Sequence, residues 1–539
     1  MNILYHSIQK FRSFSYFFTS LMIGFFLGSC APEQKNTPPK KPNILFILVD
    51  DLGKHDLGVT GSTYYETPNI DDLAQASSIF TQGYACSRVC SPSRASIITG
   101  QFTARHGITD WIGAKYGEAW RTHNRSDLTL PASYQPNLPQ SDLTIAEAFK
   151  ESGYSTFFAG KWHLGNVGSY PENHGFDFNI GGWEKGSPIG GYFSPWENPN
   201  LPNQKEGENL SMRLAKETAS FINNQSGEPF FAFLSFYAVH GPIQTTEGKW
   251  NRYREKILIQ GVDSTGFRME KNLPIRKKQD NPIYAGLIEQ MDDAVGVVLK
   301  ALKTSGLDQN TIVVFTSDNG GVASGDSFST SNSPLRGGKG YQWEGGIREP
   351  YFIKVPWLEK NIIDYPVTGA DFYPTLLELA GLELIPKQHI DGVSLKPLLE
   401  ENKTTLPGRP LFWHYPHYGN QGGDPSSIIR KANFKLIHYW EDNRNELYDL
   451  SADPGEIKDI SQAKPEITNE LWRELSKWLE DVNAEYPVKD SLFNYQEANL
   501  YKKKIRLELL TKLELERKEM FSKDFEPDPS WWNSKITVD

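Results

Sequence analysis

Cysteine is scarce in this chain: there are three in 539 residues, Cys30, Cys86 and Cys90. That excludes a disulfide-built scaffold, so a fold of this length has to rest on its hydrophobic core. Positive charge is in deficit as well. With 56 Lys and Arg against 66 Asp and Glu, the formal net charge is −10. Nucleic acid is thereby argued against as a bulk partner, since such binders usually carry a basic face. A small anionic substrate is not excluded, because it feels the local field more than the sum. No long low-complexity tract is present. The composition is globular, 38% hydrophobic and 23% charged, enough for one large α/β domain with a smaller partner or for several ordinary domains.

The first residues read as targeting and not as fold. Lys10 and Arg12 precede an apolar run from Phe14 to Phe26, and Leu27-Gly28-Ser29-Cys30 closes it with small residues before a cysteine. That tetrapeptide resembles a bacterial lipoprotein box. The resemblance implies a signal peptide over 1–29, lipidation of Cys30, and an exported protein anchored to a membrane by acyl chains, on an outer-membrane, periplasmic or cell-surface face. An uncleaved anchor helix is the competing reading, and the run is short for a bilayer span. Residues 30–41, rich in Pro, Lys and Asn, read as a flexible tether.

Beyond the tether, three unbroken apolar runs end in polar residues. Asn43 to Val49 ends in Asp50-Asp51, Thr311 to Thr316 in Ser317-Asp318-Asn319, and Phe230 to Tyr237 in Ala238-Val239-His240. Runs without alternation suggest strands buried on both faces, and open α/β sheets place their sites just past such strand ends. Tyr284, Ile288, Met291, Val295, Leu299 and Leu302 recur at helical spacing, and Phe372 to Leu379 is a shorter helix. The alternation predicts an α/β fold: a large helix-flanked, mixed but mainly parallel sheet over 42–400. Past about residue 400 the texture changes. Leu411 to Tyr415, Phe434 to Tyr439 and Glu446 to Leu450 are short strand-like pieces, followed by a helix from about Pro465 to Asn483. They predict a smaller antiparallel-sheet subdomain with one packed helix over 401–487. Residues 488–539 form a charged tail whose Leu-dotted part, about 498 to 524, is read as a solvated helix packed on the body.

The chemistry gathers at a few places. Cys90-Ser91-Pro92-Ser93-Arg94 runs into Ala95-Ser96-Ile97-Ile98-Thr99-Gly100, a spaced pattern far more demanding than a lone cysteine, which would more often be a buried thiol. Asp50, Asp51, Asp318 and Asn319 offer only hard oxygen atoms, a set that suits Ca²⁺, or Mg²⁺, and not Zn²⁺. Either pair alone is more often a helix cap or a turn. Lys161 and Lys339 each sit in a glycine-bounded loop, where a solvated charge is the ordinary reading. His163, two residues after Lys161, and His240, after the third run, can exchange a proton near neutral pH.

Together these residues resemble the type I, formylglycine-dependent sulfatases, a bacterial polysaccharide- and arylsulfatase-like group in the alkaline phosphatase superfamily. The likeness extends through Thr67-Pro68-Asn69-Ile70, Arg105-His106-Gly107, His174-Gly175-Phe176-Asp177, Trp343 to Arg348, and Glu446 to Leu450. It implies an alkaline phosphatase-like fold and sulfuric ester hydrolysis. It also implies that a maturation enzyme converts Cys90 to formylglycine, beside a metal held by Asp50, Asp51, Asp318, Asn319 and the modified residue 90. Lys161 and Lys339 would take the sulfate oxygens, and Arg94 would hold residue 90 and add positive charge. In the implied reaction the aldehyde is hydrated, and one hydroxyl attacks sulfur while His240 protonates the departing sugar oxygen. His163 then takes the proton of the second hydroxyl, sulfate is expelled and the aldehyde re-forms. A Cys86–Cys90 bridge would destroy that chemistry and is not expected. His55, where the family often has an aromatic or small residue, is left as a substrate contact or variable surface, with surface preferred.

A sulfated polysaccharide or its oligosaccharides, ulvan-like algal glycans among them, is the expected substrate. Trp196, in the aromatic and polar stretch from Trp183 to Asn203, is a candidate sugar contact, as are His414 and His417 near Tyr415, Asn420 and Gln421. Packing in core or loop is the competing reading for each. The rival functions are a phosphate or phosphonate monoester hydrolase of the same superfamily and a catalytically silent glycan-binding lipoprotein.

Overall fold

The computed structural model describes residues 41–526 and 535–537, apart from 226, 401–405 and 407. The leader and Cys30 lie outside the described residues. No helix among the described residues is long and apolar enough to cross a membrane.

The large sheet is built from β1 (Asn43–Val49), β2 (Ser78–Phe80), β3 (Ser155–Gly160), β4 (Phe178–Ile180), β5 (Phe230–Ser235), β6 (Thr311–Ser317), β7 (Tyr351–Lys354) and β8 (Ile362–Ile363). Their order is β8-β2-β7-β6-β1-β5-β3-β4. Only β7 runs against its neighbours, β6 and β2; the other pairs are parallel. The central strand β1 is buried at every residue, which is why its sequence shows no alternation. Its two faces feed two cores. Leu45, Ile47 and Val49 pack with α2 (Leu210–Asn223) and α3 (Pro282–Thr304), while Ile44, Phe46 and Leu48 pack with α1 (Cys90–Thr99) and α4 (Phe372–Leu379). The long helix α3 starts where Pro282 occupies its first turn and the Asn281 side chain accepts from the amides of Ile283 and Tyr284. The sheet is therefore helix-covered on both faces, and the ends of β1, β3, β5 and β6 open to one side.

A second, antiparallel sheet follows: β9 (Leu411–Tyr415), β10 (Ser426–Lys431), β11 (Phe434–Tyr439) and β12 (Asn445–Asp449), in sequential order. The inner strand β10 is the one that sequence patterning did not single out. Helix α5 (Pro465–Asp481) lays Leu471, Leu475 and Leu479 on this sheet, in a core that also takes Tyr84, Phe102 and Trp343 from the first part of the chain. The tail is helical over α6 (Tyr495–Lys504), a π-turn at Ile505–Leu509 and α7 (Leu510–Glu519). It is docked on the body. The Glu514 carboxylate accepts from the amides of Gly266 at 2.7 Å and Phe267 at 2.9 Å, and buried Arg517 donates to Asp280 at 2.7 Å.

One buried ion cluster ties the second sheet to the segment between β6 and β7. Lys435 on β11, fully buried, lies 3.1 Å from Glu344 and 2.8 Å from Glu456, both also fully buried. Removing the lysine leaves desolvated Glu456 without its cation and Glu344 with only Arg348, at 3.6 Å. Lys435→Met is expected to destabilise the protein by about 3–5 kcal/mol in denaturant unfolding, whereas a change within experimental error would show the cluster to be dispensable.

Candidate active site

Parallel topology brings the polar ends of four strands to one place. Asp50 and Asp51 follow β1, Asp318 and Asn319 follow β6, Lys161 and His163 follow β3, and His240 lies five residues beyond β5. The main chain at Asp51 and at His163 is left-handed, with φ of 64° and 56°. Such conformations are uncommon for residues with a Cβ and gather at functional sites. Gly160 makes the turn out of β3 possible. Its φ is +108°, and a Cβ there would lie 1.8 Å from the Ser235 carbonyl oxygen.

The three carboxylates of Asp50, Asp51 and Asp318 are buried, with ligand atoms all within 4.8 Å of one another. Each is met by a cation. Lys161 Nζ donates to Asp50 Oδ2 at 2.7 Å, Lys339 Nζ to Asp51 Oδ2 at 2.8 Å, and Arg94 Nε to Asp318 Oδ2 at 2.7 Å. Asn319 donates its amide to Asp51 Oδ1 at 2.8 Å. Two oxygens stay unbonded in this buried setting, Asp50 Oδ1 and Asn319 Oδ1. Arg94 Nη2 lies 3.8 Å from Asp50 Oδ1, too far for a hydrogen bond. Buried acceptors are normally satisfied, so two orphaned hard oxygens beside three carboxylates fit a divalent cation of the Ca²⁺ or Mg²⁺ kind.

The electrostatics agree. Burial, aided by the neighbouring Asp318 and Asp51 charges, pushes the Asp50 carboxyl well above the ordinary range; a cation in contact would reverse that. Burial opposes ionisation of Asp51 too, yet Lys339, His240 and Lys161 outweigh it and hold that carboxyl low. Asp318 is likewise held low by Arg94 and Lys161 against its burial.

Cys90 is the first residue of α1, and both it and Cys86 are buried free thiols. His163 Nδ1 lies 3.4 Å from Cys90 Sγ, while Nε2 is 3.0 Å from the Ile112 carbonyl oxygen. A carbonyl only accepts, so the proton sits on Nε2 and the Nδ1 lone pair faces position 90. Burial and the Lys161 charge push His163 well below the usual imidazole range, which keeps it neutral and basic-side inward. Gly186 gives the ring its room: a Cβ there would lie 2.3 Å from His163 Cε1. His240 Nδ1 is 2.6 Å from the Gly241 carbonyl and Nε2 is 3.7 Å from Asp51 Oδ2. Burial and Lys339 lower its pKa to about 3.

A cavity of about 520 Å³ opens over this cluster, walled by Cys90, His163, His240 and Lys339 with Trp111, Tyr134, Glu184, Lys185, Asp326, Asn420 and Gln421 among others. Several expectations are relocated. Arg94, one turn after Cys90, directs Nε to Asp318 and Nη1 to the Lys161 carbonyl (2.8 Å) and Ser235 Oγ (2.7 Å), bracing the acidic cluster, while its Nη2 makes no hydrogen bond. Trp196 is corrected to core: it is 4% exposed and its indole donates to the Leu201 carbonyl at 2.9 Å. His414 and His417 are corrected likewise, being 1% and 0% exposed. His414 is held between Ser427 Oγ at 2.7 Å and the Glu485 carbonyl at 2.8 Å, and His417 meets Thr109 Oγ1 at 2.9 Å. His55 is half-buried against the Thr60 carbonyl, away from the cavity. Sequence reasoning missed Ser235, Asp326, Trp111 and Tyr134; none carries a local signal, because only the tertiary fold turns them inward.

A helix-covered, mainly parallel sheet with an acidic cluster at its strand ends is the alkaline phosphatase-like architecture. Residues 42–382 match the family model described as Sulfatase, and residues 338–485 match N-sulphoglucosamine sulphohydrolase, C-terminal. The chain is similar to a sulfatase of Formosa agariphila, 31% identical over 552 residues and spanning 86% of this chain and 95% of that one. It is similar to human N-acetylgalactosamine-6-sulfatase, 31% identical over 506 residues, 84% of this chain and 88% of that one. Among solved structures, Ps i-CgsB in complex with k-i-k-neocarrahexaose superposes with a TM-score of 0.67 at 25% identity, covering 88% of this chain and 99% of that one. The protein belongs to the type I sulfatase family and is an enzyme that hydrolyses sulfate esters.

Two outcomes test this site. Gly186→Ala forces the His163 ring to move, and kcat is expected to fall by roughly 10- to 100-fold with the fold intact; unchanged kcat would remove His163 from the reaction. Burial lowers His414 to about 4, against about 6.5 unfolded. Its stabilising effect is therefore complete above pH 6.5 and is lost as pH falls towards 4, by at most about 1.4 kcal/mol per pH unit. His414→Gln should flatten the stability slope over that window, measured by unfolding at stepped pH; an unchanged slope would contradict the buried, neutral assignment.

Proposed function

We propose that the protein removes sulfate from a sulfated polysaccharide or its oligosaccharides, with residue 90 matured to formylglycine and a divalent cation, Ca²⁺ first, bound by Asp50, Asp51, Asp318 and Asn319. The observation that carries the catalytic part is the neutral His163, whose Nδ1 faces position 90 while its other nitrogen is committed to Ile112. The glycan part is supported by the relatives: one is named for N-acetylgalactosamine-6-sulfate chemistry and another was solved with k-i-k-neocarrahexaose. Export as a lipoprotein through Cys30, with a maturation enzyme as partner, belongs to the same proposal and rests on the leader sequence.

Formylglycine would supply, once hydrated, two hydroxyls on one carbon, one to attack sulfur and one to expel sulfate. A divalent cation would supply Lewis-acid polarisation and a field favouring the deprotonated hydroxyl. The remaining work falls to side chains already in place. His163 Nδ1 accepts a proton from a hydroxyl at position 90. Lys161 and Lys339 now neutralise Asp50 and Asp51; a cation held by those carboxylates would release both ammonium groups from that task, and Lys339 in the cavity wall, with buried Lys161 behind it, would stabilise charge on the sulfuryl oxygens. Arg94 keeps Asp318 ionised and in register. His240 presents Nε2 to the departing oxygen, since Nδ1 is tied to Gly241; burial first and the Lys339 charge second depress its pKa, and an anionic ester beside Lys339 offsets the second of these.

The test pairs a chemical and a kinetic readout. The tryptic peptide Val89–Arg94 of active enzyme is expected to be lighter than its thiol form, and Cys90→Ala to lose sulfate release by roughly a thousandfold or more. The release assay runs over sulfated oligosaccharides from ulvan, carrageenan, fucoidan and glycosaminoglycans, with phosphate esters as controls. An intact thiol in active enzyme, or faster phosphate release, would contradict the proposal.

A further inference from the structure

The active-site cavity has a neighbour. Asn420 and Gln421 wall the first cavity, and Asn420, Gly422 and Gly423 wall a second of about 250 Å³. The two spaces share the exposed Asn420 and so adjoin one another. The far wall of the second comes from the start of the tail, including Tyr495, Tyr501 and Lys502 on α6. That stretch lies beyond residue 485, where the match to the family's C-terminal model ends.

The lining is aromatic and charge-compensated. Tyr418, Tyr495 and Tyr501 face the space, and the last two are left 71% and 38% exposed on a helix that is otherwise strongly polar. Exposed aromatic rings beside a cavity are a place where the C–H face of a pyranose gains by burial. The cations do not add up to an anion site. Arg125 pairs with Asp127 at 3.1 Å, Lys271 pairs with Asp424 at 3.2 Å, and Glu441 accepts from the Tyr418 hydroxyl at 2.7 Å. A sulfate group would meet at least as much negative charge as positive, whereas hydroxyls find donors and acceptors on every side.

We infer that α6 builds a subsite for an uncharged sugar unit of the substrate, next to the cavity that takes the sulfated unit. This rests on the glycan-sulfatase reading. The enzyme then prefers an oligosaccharide in which the sulfated unit is followed by an unsulfated one, and a sulfated monosaccharide leaves the second cavity unused.

The experiment compares kcat/KM for sulfated mono- and hexasaccharides of the same glycan, using carrageenan, fucoidan, ulvan and glycosaminoglycan pairs and reading the pair turned over fastest. Wild-type enzyme is expected to favour the hexasaccharide by about tenfold, the worth of one or two good ring contacts. Tyr495→Ala, which removes a ring, and Asn499→Trp, which fills the space from the exposed side of α6, are each expected to bring that ratio below about threefold. Both positions are exposed, so folding is not at stake, and thermal unfolding checks it. A wild-type ratio near one, or a ratio that neither variant moves, overturns the inference while leaving the glycan-sulfatase reading intact. Preference for a hexasaccharide sulfated on the second unit also overturns it. No turnover of any pair overturns the functional reading itself, and the subsite with it.

Discussion

Three buried carboxylates meeting three buried cations is the interaction on which the rest of this structure depends. Asp50, Asp51 and Asp318 would repel one another too strongly to share so small a volume without Lys161, Lys339 and Arg94. The arrangement is affordable because each partner sits at the end of a strand or in a loop that the parallel sheet already brings there. Arg94 shows how closely packing and chemistry are joined: placed one turn into α1, it links the helix bearing residue 90 to β6, β3 and β5 at once. In the proposed function the same lysines would be released towards a sulfate ester once a cation took over that task.

Much of this was legible in the sequence, for a physical reason. β1, β5 and β6 are buried on both faces, so each appears as an unbroken apolar run that stops where polar residues begin, and those stops are the site. The spaced Cys90 motif and the Asp318-Asn319 pair stand out because their neighbours are glycine, proline or strand. What could not be read was direction. Trp196, His414 and His417 have the composition of sugar contacts, but only tertiary packing turned them into the core, each with its polar atom satisfied at home. Strand β10, Ser426 to Lys431, carries weak patterning because its place is fixed by β9 and β11 on either side. Conversely, Asp326 and Tyr134 reach the cavity from segments with no local signature.

The outer parts of the molecule shape what the inner cluster can act upon. The antiparallel sheet is locked to the body by Lys435 between Glu344 and Glu456, and through Asn420 and Gln421, between β9 and β10, its subdomain supplies part of the cavity wall. The tail, anchored by Glu514 and Arg517, brings aromatic rings to the neighbouring space.

The central claim is that the orphaned oxygens of Asp50 and Asn319 mark a cation site. Its most direct measurement is the thermal unfolding of metal-stripped protein with and without added Ca²⁺, beside the same titration on Asp318→Asn. Binding to the folded state alone raises Tm with ligand concentration. A concentration-dependent rise of several degrees in the native sequence, lost or strongly weakened in the variant, is the predicted result. Identical unfolding with and without Ca²⁺ or Mg²⁺ would contradict it.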